Sequence, residues 1–352
     1  MKALTLQPGL PDSARLEDVS EPSLEDGTLL VQTLAVGICG TDIEMLSGAY
    51  GWPPPGASRL VLGHESIGRV IEAPTGSTVV SGDLVAGIVR RPDPVPCPYC
   101  AAGEWDMCRN GQYTERGIKE RHGYASERFR IEPEFAVTVE PSLGILGVLL
   151  EPASVLAKAW EHADRIGQRS DAWRPHTALV TGAGPIGLLA ALMGRQRGLD
   201  VHVFDRVTSG PKPALVRDLG AVYHGGTLPP VDRLAPDVIL ECTGASTVVA
   251  DVLTRSAPSG IVCLAGVSSG GRTIPMDLGD LNRRMVLEND VVFGSVNANR
   301  RHYEQAARAL AAADREWLRR LITRRVPLAR WREAFVKHDD DVKVVVSMDG
   351  AA

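Results

Sequence analysis

The pattern of apolar and polar positions changes character once, near residue 150. Upstream the apolar runs are short, as at 29–36 and 67–72, and Pro and Gly interrupt them, which predicts strands and turns. Trp52-Pro53-Pro54-Pro55-Gly56 and the spaced Pro92, Pro94, Pro96 and Pro98 read as loops rather than elements. Downstream, buried-type apolar runs alternate with segments of helical period. Strands are predicted at 178–182, 201–205, 237–242, 261–266 and 291–294. Helices are predicted at 186–197 and at 213–219, the latter closed by Gly220. Such alternation builds a parallel sheet with helices on its faces. From Tyr303 to Met348 the pattern returns to one helix, 303–312, and short amphipathic pieces. The expected fold class is α/β: a β-rich region followed by an inserted doubly wound parallel sheet.

Gly182-Ala183-Gly184-Pro185-Ile186-Gly187 lies between a predicted strand and a predicted helix. The first Gly of such a motif permits a tight turn and the second lets backbone approach a pyrophosphate. The third lets the helix pack on the strand. The phosphates then face a helix N-terminus, with its free N–H groups. Asp205 ends the next strand, 18 residues beyond Gly187, where an acidic side chain binds the adenosine ribose. A carboxylate there accepts from the 2′-hydroxyl and repels a 2′-phosphate, favouring NAD. Arg206 beside it could hold that phosphate instead, so NADP stays open.

Composition narrows the field. At 352 residues the chain can form two cores, and 44% hydrophobic with 23% charged positions is ordinary for a globular protein. A formal charge of −5 argues against nucleic acid or an anionic membrane surface as partner. No apolar run is expected to approach the ~18 to 20 residues of a membrane helix. Gln7, Pro8 and Gly9 stand where a signal peptide would continue its apolar region, so the expected compartment is the cytoplasm. The six cysteines, three clustered and three scattered, do not form a secreted disulfide pattern.

Cys39 follows a strand in Gly37-Ile38-Cys39-Gly40-Thr41-Asp42, His64 and Glu65 lie in a second loop, and Glu151 opens Glu151-Pro152. Thiolate, imidazole and carboxylate are the donors of a catalytic zinc that keeps one position open. Being scattered, they do not prove convergence by spacing. His162, His176, His202 and His224 are read as structural. Cys97, Cys100 and Cys108 form C-x2-C-x7-C in the Pro-rich loop. Cys242 and Cys263 fall on predicted sheet strands and read as small core residues.

Cys39-Gly40-Thr41-Asp42, Gly63-His64-Glu65 with Gly68, and Gly82-Asp83-Leu84-Val85 resemble the signature of the zinc-dependent medium-chain alcohol dehydrogenases, over almost the whole chain. Glu151-Pro152, Thr114-Glu115-Arg116-Gly117-Ile118 and Gly294-Ser295-Val296-Asn297 resemble the glucose (aldose) 1-dehydrogenase branch. The resemblance implies a GroES-like β-rich catalytic domain of residues 1–156 and 296–352, and a Rossmann NAD(P)-binding domain of 157–295. Zinc, substrate and nicotinamide are expected in the cleft between them.

The resemblance further implies catalytic zinc on Cys39 and His64, with Glu65 or Glu151 completing the shell. The implied reaction is oxidation of a sugar C1 hydroxyl to a lactone. Thr41 would relay the released proton. Glu115 and Asn297 would bind sugar hydroxyls, with Glu151 also at the substrate and Asn297 also at the cofactor. Similar dehydrogenases carry four cysteines spaced C-x2-C-x2-C-x7-C around a structural zinc. Here the first position falls on Pro94, so Asp93 is the expected fourth ligand beside Cys97, Cys100 and Cys108, with Glu104 or Asp106 in reserve. An emptied lobe or a single disulfide is the other outcome for these thiols. A homo-oligomer, dimer or tetramer, is expected by family habit. Competing readings are a polyol or cyclitol dehydrogenase with the same metal and cofactor sites, a zinc-less quinone-type reductase, or a non-catalytic nicotinamide-binding protein.

Overall fold

The computed structural model describes residues 1–228, 234–268, 270 and 273–348. The chain divides into two compact units, Met1–Ser154 with Asn297–Ala352, and Val155–Val296. In the first unit the ten-residue strand Leu29–Ile38 is the spine. Leu29, Val31, Thr33 and Ala35 are buried at alternate positions, the period of a strand with one face on a core. It pairs antiparallel with Glu65–Glu72 on one side and with the late strand Lys343–Ser347 on the other. These contacts set Gly37 opposite Glu65 and Ile38 opposite Val344. Gly37 is required there, because a Cβ on it would fall 2.0 Å from a Glu65 carboxylate oxygen.

The second unit is a six-stranded parallel sheet. Its spatial order is Val222–Gly225, Asp200–Asp205, Thr177–Thr181, Val238–Glu241, Ile261–Leu264 and Val291–Gly294. Chain order reverses at Thr177–Thr181, which makes its carboxyl end the switch point where such sheets take ligands. Leu179, Phe204, Ile239, Val252 and Val262 form one buried cluster against this sheet.

Several expectations need correction. The strand Val222–Gly225 is unanticipated, since Val-Tyr-His-Gly is short and half polar. The helix Leu150–Gly167 is not among the predicted elements; its Pro152 falls in the first turn, where Pro is tolerated. Pro98 belongs to no loop but opens the short helix Pro98–Ala101. Glu65 begins a strand rather than sitting in a loop, and Cys242 lies just past Val238–Glu241. The tail contains two strands, Ile322–Pro327 and Lys343–Ser347, beyond its helix Arg300–Ala311. One stretch, Pro141–Gly167, is long and apolar enough by length and composition to cross a membrane, with mean hydropathy 1.4, contrary to expectation. Since 72% of that window is buried inside the protein, it reads as core helix.

Candidate active site

Cys39 is the N-cap of the helix Gly40–Leu46, reached directly from the spine strand. Asp42, three residues on, closes a capping box: its Oδ2 accepts from Cys39 N at 2.9 Å, and Thr41 N donates to Cys39 Sγ at 3.3 Å. His64 precedes the neighbouring strand, behind Gly63 at φ +89°, a left-handed conformation that suits glycine. Cys39 Sγ and His64 Nε2 meet at 3.0 Å. With one carboxylate oxygen of Glu65, these atoms lie within 4.8 Å of one another. Behind His64, Nδ1 faces Asp42 Oδ1 at 3.5 Å, both atoms buried and neither making a hydrogen bond of good geometry. A carboxylate on the far ring nitrogen is the usual support of a metal-binding histidine.

The charges around His64 favour positive charge at this corner. Burial opposes a proton on His64, but the Cys39 sulfur and the Asp42 carboxylate outweigh it and hold its pKa well above the ordinary value. Burial, reinforced by Glu65 and opposed by His64 and Lys343, pushes Glu151 up to about 7. Protons are drawn to the spot where a dication would relieve the same field, so the donor set fits zinc. Glu65 differs from the other donors. It is buried and ion-paired with Lys343, whose Nζ lies 2.7 Å from Oε1. Lys343 comes from the late strand, also donates to the Ile38 carbonyl at 3.2 Å, and was not singled out in the sequence. Asp42 was passed over too, although its spacing from Cys39 is the signal of a capping box.

Glu115 and Asn297 are brought together, Asn297 Nδ2 donating to Glu115 Oε1 at 2.7 Å. The same oxygen receives Arg90 Nε at 3.0 Å, and the Arg90 guanidinium lies 3.7 Å over the Tyr113 ring. Arg90 is another residue the sequence reading missed. Thr41 is half-buried beside Cys39.

The thiol sulfurs of Cys97, Cys100 and Cys108 also lie within 4.8 Å of one another, and no disulfide links them. Backbone N–H groups of Arg109 and Cys100 aimed at Cys97 bring its thiol down to about 6, while burial pushes Cys100 up to about 11. Asp93 is buried next to this cluster, its backbone N–H directed at the Cys100 sulfur. Its Oδ1 accepts from Val95 N at 2.8 Å, and its Oδ2 is buried with no hydrogen-bond partner. Of the reserves, Asp106 Oδ1 accepts from Asn299 at 2.8 Å and its Oδ2 lies 3.9 Å from His302 Nδ1, while Glu104 lies 3.5 Å from Arg301.

In the second unit Gly182 has φ +90° and its N–H meets the Phe204 carbonyl at 2.6 Å. A Cβ at Gly187 would fall 1.8 Å from Gly182 O, whereas one at Gly184 would meet open space. Gly184 caps Pro185–Gln196 with no side chain over the helix end, leaving that end accessible to phosphate. Pro185 and Ile186 form the first turn. Asp205 is buried, its Oδ2 accepting from Ala183 N at 2.7 Å and its Oδ1 from Val207 N at 3.0 Å. It therefore braces the glycine turn. Lys212 Nζ lies 3.8 Å from it and Arg206 is exposed. Glu241, also missed, is fully buried at the end of its strand and accepts from Thr181, Thr243 and Gly244.

Comparison with known proteins adds family context. Residues 25–141 match the alcohol dehydrogenase GroES-like domain, and residues 144–348 match the family described as glucose dehydrogenase C-terminus. The chain is 40% identical to a glucose 1-dehydrogenase of Methanocella arvoryzae, over 99% of both sequences. It is 39% identical to one of Thermoproteus tenax, again over 99% of both. The glucose dehydrogenase of Haloferax mediterranei, solved with NADP, Zn and gluconolactone, superposes with a TM-score of 0.91 at 33% identity, covering 100% of each chain.

Proposed function

The chain belongs to the glucose dehydrogenase branch of the zinc-dependent alcohol dehydrogenases, with their GroES-like and Rossmann-type fold, and from that premise we propose how its own residues do the work. It is an NAD(P)-dependent oxidoreductase that converts the C1 hydroxyl of an aldose such as D-glucose to the lactone, hydride passing to the nicotinamide. The observation carrying the site assignment is the meeting of Cys39 Sγ and His64 Nε2 at 3.0 Å with Asp42 behind the ring. Cys39 and His64 hold the catalytic zinc, and Glu65 or Glu151 completes the shell. Bound there, zinc supplies Lewis acidity that lowers the pKa of the sugar hydroxyl.

The protein's part is to position groups and to move one proton. Asp42 fixes the His64 ring so that Nε2 points at the metal position. Thr41, beside Cys39, passes the hydroxyl proton outward, a step open to a side chain that both donates and accepts. Glu115, held by Arg90 and Asn297, offers its second carboxylate oxygen to a sugar hydroxyl. The residue ranges expected for the GroES-like domain (1–156 and 296–352) and the Rossmann domain (157–295) are part of the same proposal. Initial rates with D-glucose, D-galactose, D-xylose and several polyols, with and without a zinc chelator, test it. Chelator-sensitive oxidation of an aldose is the expected result. Polyol turnover with no aldose turnover would overturn the sugar assignment and keep the metal chemistry.

Gly182, Gly184, Pro185, Ile186 and Gly187 cradle the cofactor pyrophosphate, with Asn297 near the cofactor, and Asp205 favours NAD by accepting from the ribose. Since Asp205 also braces the turn, Asp205→Ala is expected to weaken both cofactors, shifting the NAD/NADP preference toward NADP by about tenfold. Fluorescence titrations with NADH and NADPH measure this. Equal losses would leave Asp205 as a brace alone and pass selection to Arg206 and Lys212.

The Cys97, Cys100 and Cys108 thiols, with Asp93 as fourth donor, hold a structural zinc, supported by the three converging sulfurs and the orphaned Asp93 oxygen. Cys100→Ser is expected to remove one equivalent of zinc and lower Tm by several degrees, about 1–3 kcal/mol for a loop that loses its ion. Metal analysis showing unchanged zinc would refute the assignment. A homo-oligomer is supported by the helix Leu278–Glu288, which buries none of its residues and exposes Leu278, Val286 and Leu287. A reducing, cytoplasmic setting belongs to the same proposal, since Cys97, Cys100 and Cys108 must stay reduced to hold the ion.

A further inference from the structure

Arg116 follows Glu115 in the strand Thr114–Arg116 and is 2% exposed. Among the described residues it has no carboxylate partner. Its Nη1 donates to the His122 carbonyl at 3.2 Å, and its Nη2 to those of Asp26 at 3.1 Å and Arg130 at 2.7 Å. Those three bonds leave two of the five guanidinium donors unused, and Nε is buried with no acceptor. Arg91 and Arg121 add to the same field while sharing a single carboxylate, Glu132. Burial and the Arg91 and Arg121 charges bring the Arg116 guanidinium down to about 10, with Tyr124, its ring 5.4 Å from the guanidinium carbon, and Glu132 offsetting them only in part. A buried cation in this condition calls for an anion.

A space for one is present. Arg116 lines a cavity of about 330 Å³ with Val19, Val61, Phe129 and Arg130. The other guanidinium groups of the lining are matched, Arg59 with Glu17, Arg128 with Glu21 and Arg130 with Glu72, while the Met1 ammonium donates to the Val19 carbonyl at 2.9 Å. Asp26, part-exposed, is the acid left over on this wall. We propose that the cavity is a second ligand site, which takes a small organic monocarboxylate with an apolar body. The carboxylate accepts from Arg116 and the body packs on Val61 and Phe129. A doubly charged phosphate is disfavoured by Glu17, Glu21 and Asp26 on the same wall.

The cavity backs onto the segment that carries His64. A Cβ at Gly123 would fall 2.3 Å from Leu62 O, and one at Gly117 would fall 2.5 Å from Gly63 O. Tyr124 N donates to Gly63 O at 2.9 Å. A ligand on Arg116 therefore acts on the strand that positions Glu115 and on the backbone that seats His64. Its occupancy changes aldose KM, a link that rests on the sugar-binding role given to Glu115.

Isothermal titration of the full-length, zinc-loaded enzyme with benzoate, butyrate, gluconate and inorganic phosphate tests the site without relying on turnover. Saturable one-to-one binding of benzoate or butyrate is expected. Val19→Trp, which fills the cavity and leaves Arg116 in place, should weaken it by about tenfold or more. Arg116→Lys should weaken it similarly. Because that buried substitution can fail to fold, Val19→Trp carries the test in its place. Binding should persist in Cys39→Ser, which separates this site from the metal position. Absence of saturable binding by either apolar carboxylate, or equal affinity in Val19→Trp, overturns the proposal. Binding of phosphate or gluconate alone overturns the ligand class, and binding that leaves aldose KM unchanged overturns the link to Glu115.

Discussion

Cys39→Ser or His64→Ala is expected to lower aldose turnover by roughly 10³-fold or more, about 4 kcal/mol of transition-state stabilisation. The cofactor affinity should stay nearly unchanged. The two donors meet in a corner where Asp42, Glu65 and Glu151 draw positive charge and Lys343 answers Glu65 alone by an ion pair. Each variant removes a donor that no neighbouring side chain can replace with the same softness and reach. The glycine turn, by contrast, is built wholly within the parallel-sheet unit, from Gly182, Gly187, Asp205 and their hydrogen bonds. Rates, zinc content and an NADH titration on the same preparations separate the two effects. Full turnover in a variant shown to be folded would remove Cys39 and His64 from the metal.

The second large effect concerns stability. Lys343→Met keeps the aliphatic stem and leaves Glu65 as a buried, unmatched carboxylate. Burial opposes the charge on Lys343, but Glu65 and Cys39 outweigh it and hold its pKa above the ordinary lysine value. Breaking such a pair from one side costs about 3–5 kcal/mol. Adding Glu65→Gln should recover a large part of that, because the amide can be buried without a counter-ion. Urea unfolding of the metal-free single and double variants checks both statements. A single variant within about 0.5 kcal/mol of the parent would mean that Glu65 is not held as an ion pair.

How much of this was visible in the sequence depended on whether a feature is local. The glycine turn is local: Gly182 needs its positive φ, and Gly187 has no room for a Cβ against Gly182 O. Cys39 and His64 stood out through short motifs, and the alternation after residue 150 gave the parallel sheet. Asp42 was within reach, because its three-residue spacing from Cys39 has a backbone meaning. Lys343 was not. Lysine inside a Val-rich run reads as the solvent side of an edge strand, and its partner is 278 positions away. Arg90 and Arg116 were hidden for the same reason, since each is recognised by what encloses it.

The pairing of Lys343 with Glu65 also bears on the order of assembly. Between the two residues in the chain lies the entire parallel-sheet unit, 155–296. A ribosome making the protein from its N-terminus exposes Cys39, His64 and Glu65 long before Lys343 is synthesised. Domains fold as units during synthesis, so the parallel sheet can be complete while the corner of Cys39 and His64 still carries an uncompensated acid, Glu65. Closing the spine strand with Lys343–Ser347 is then among the last events of biogenesis, and a nascent chain interrupted before it holds a finished nucleotide-type domain beside an unfinished active centre.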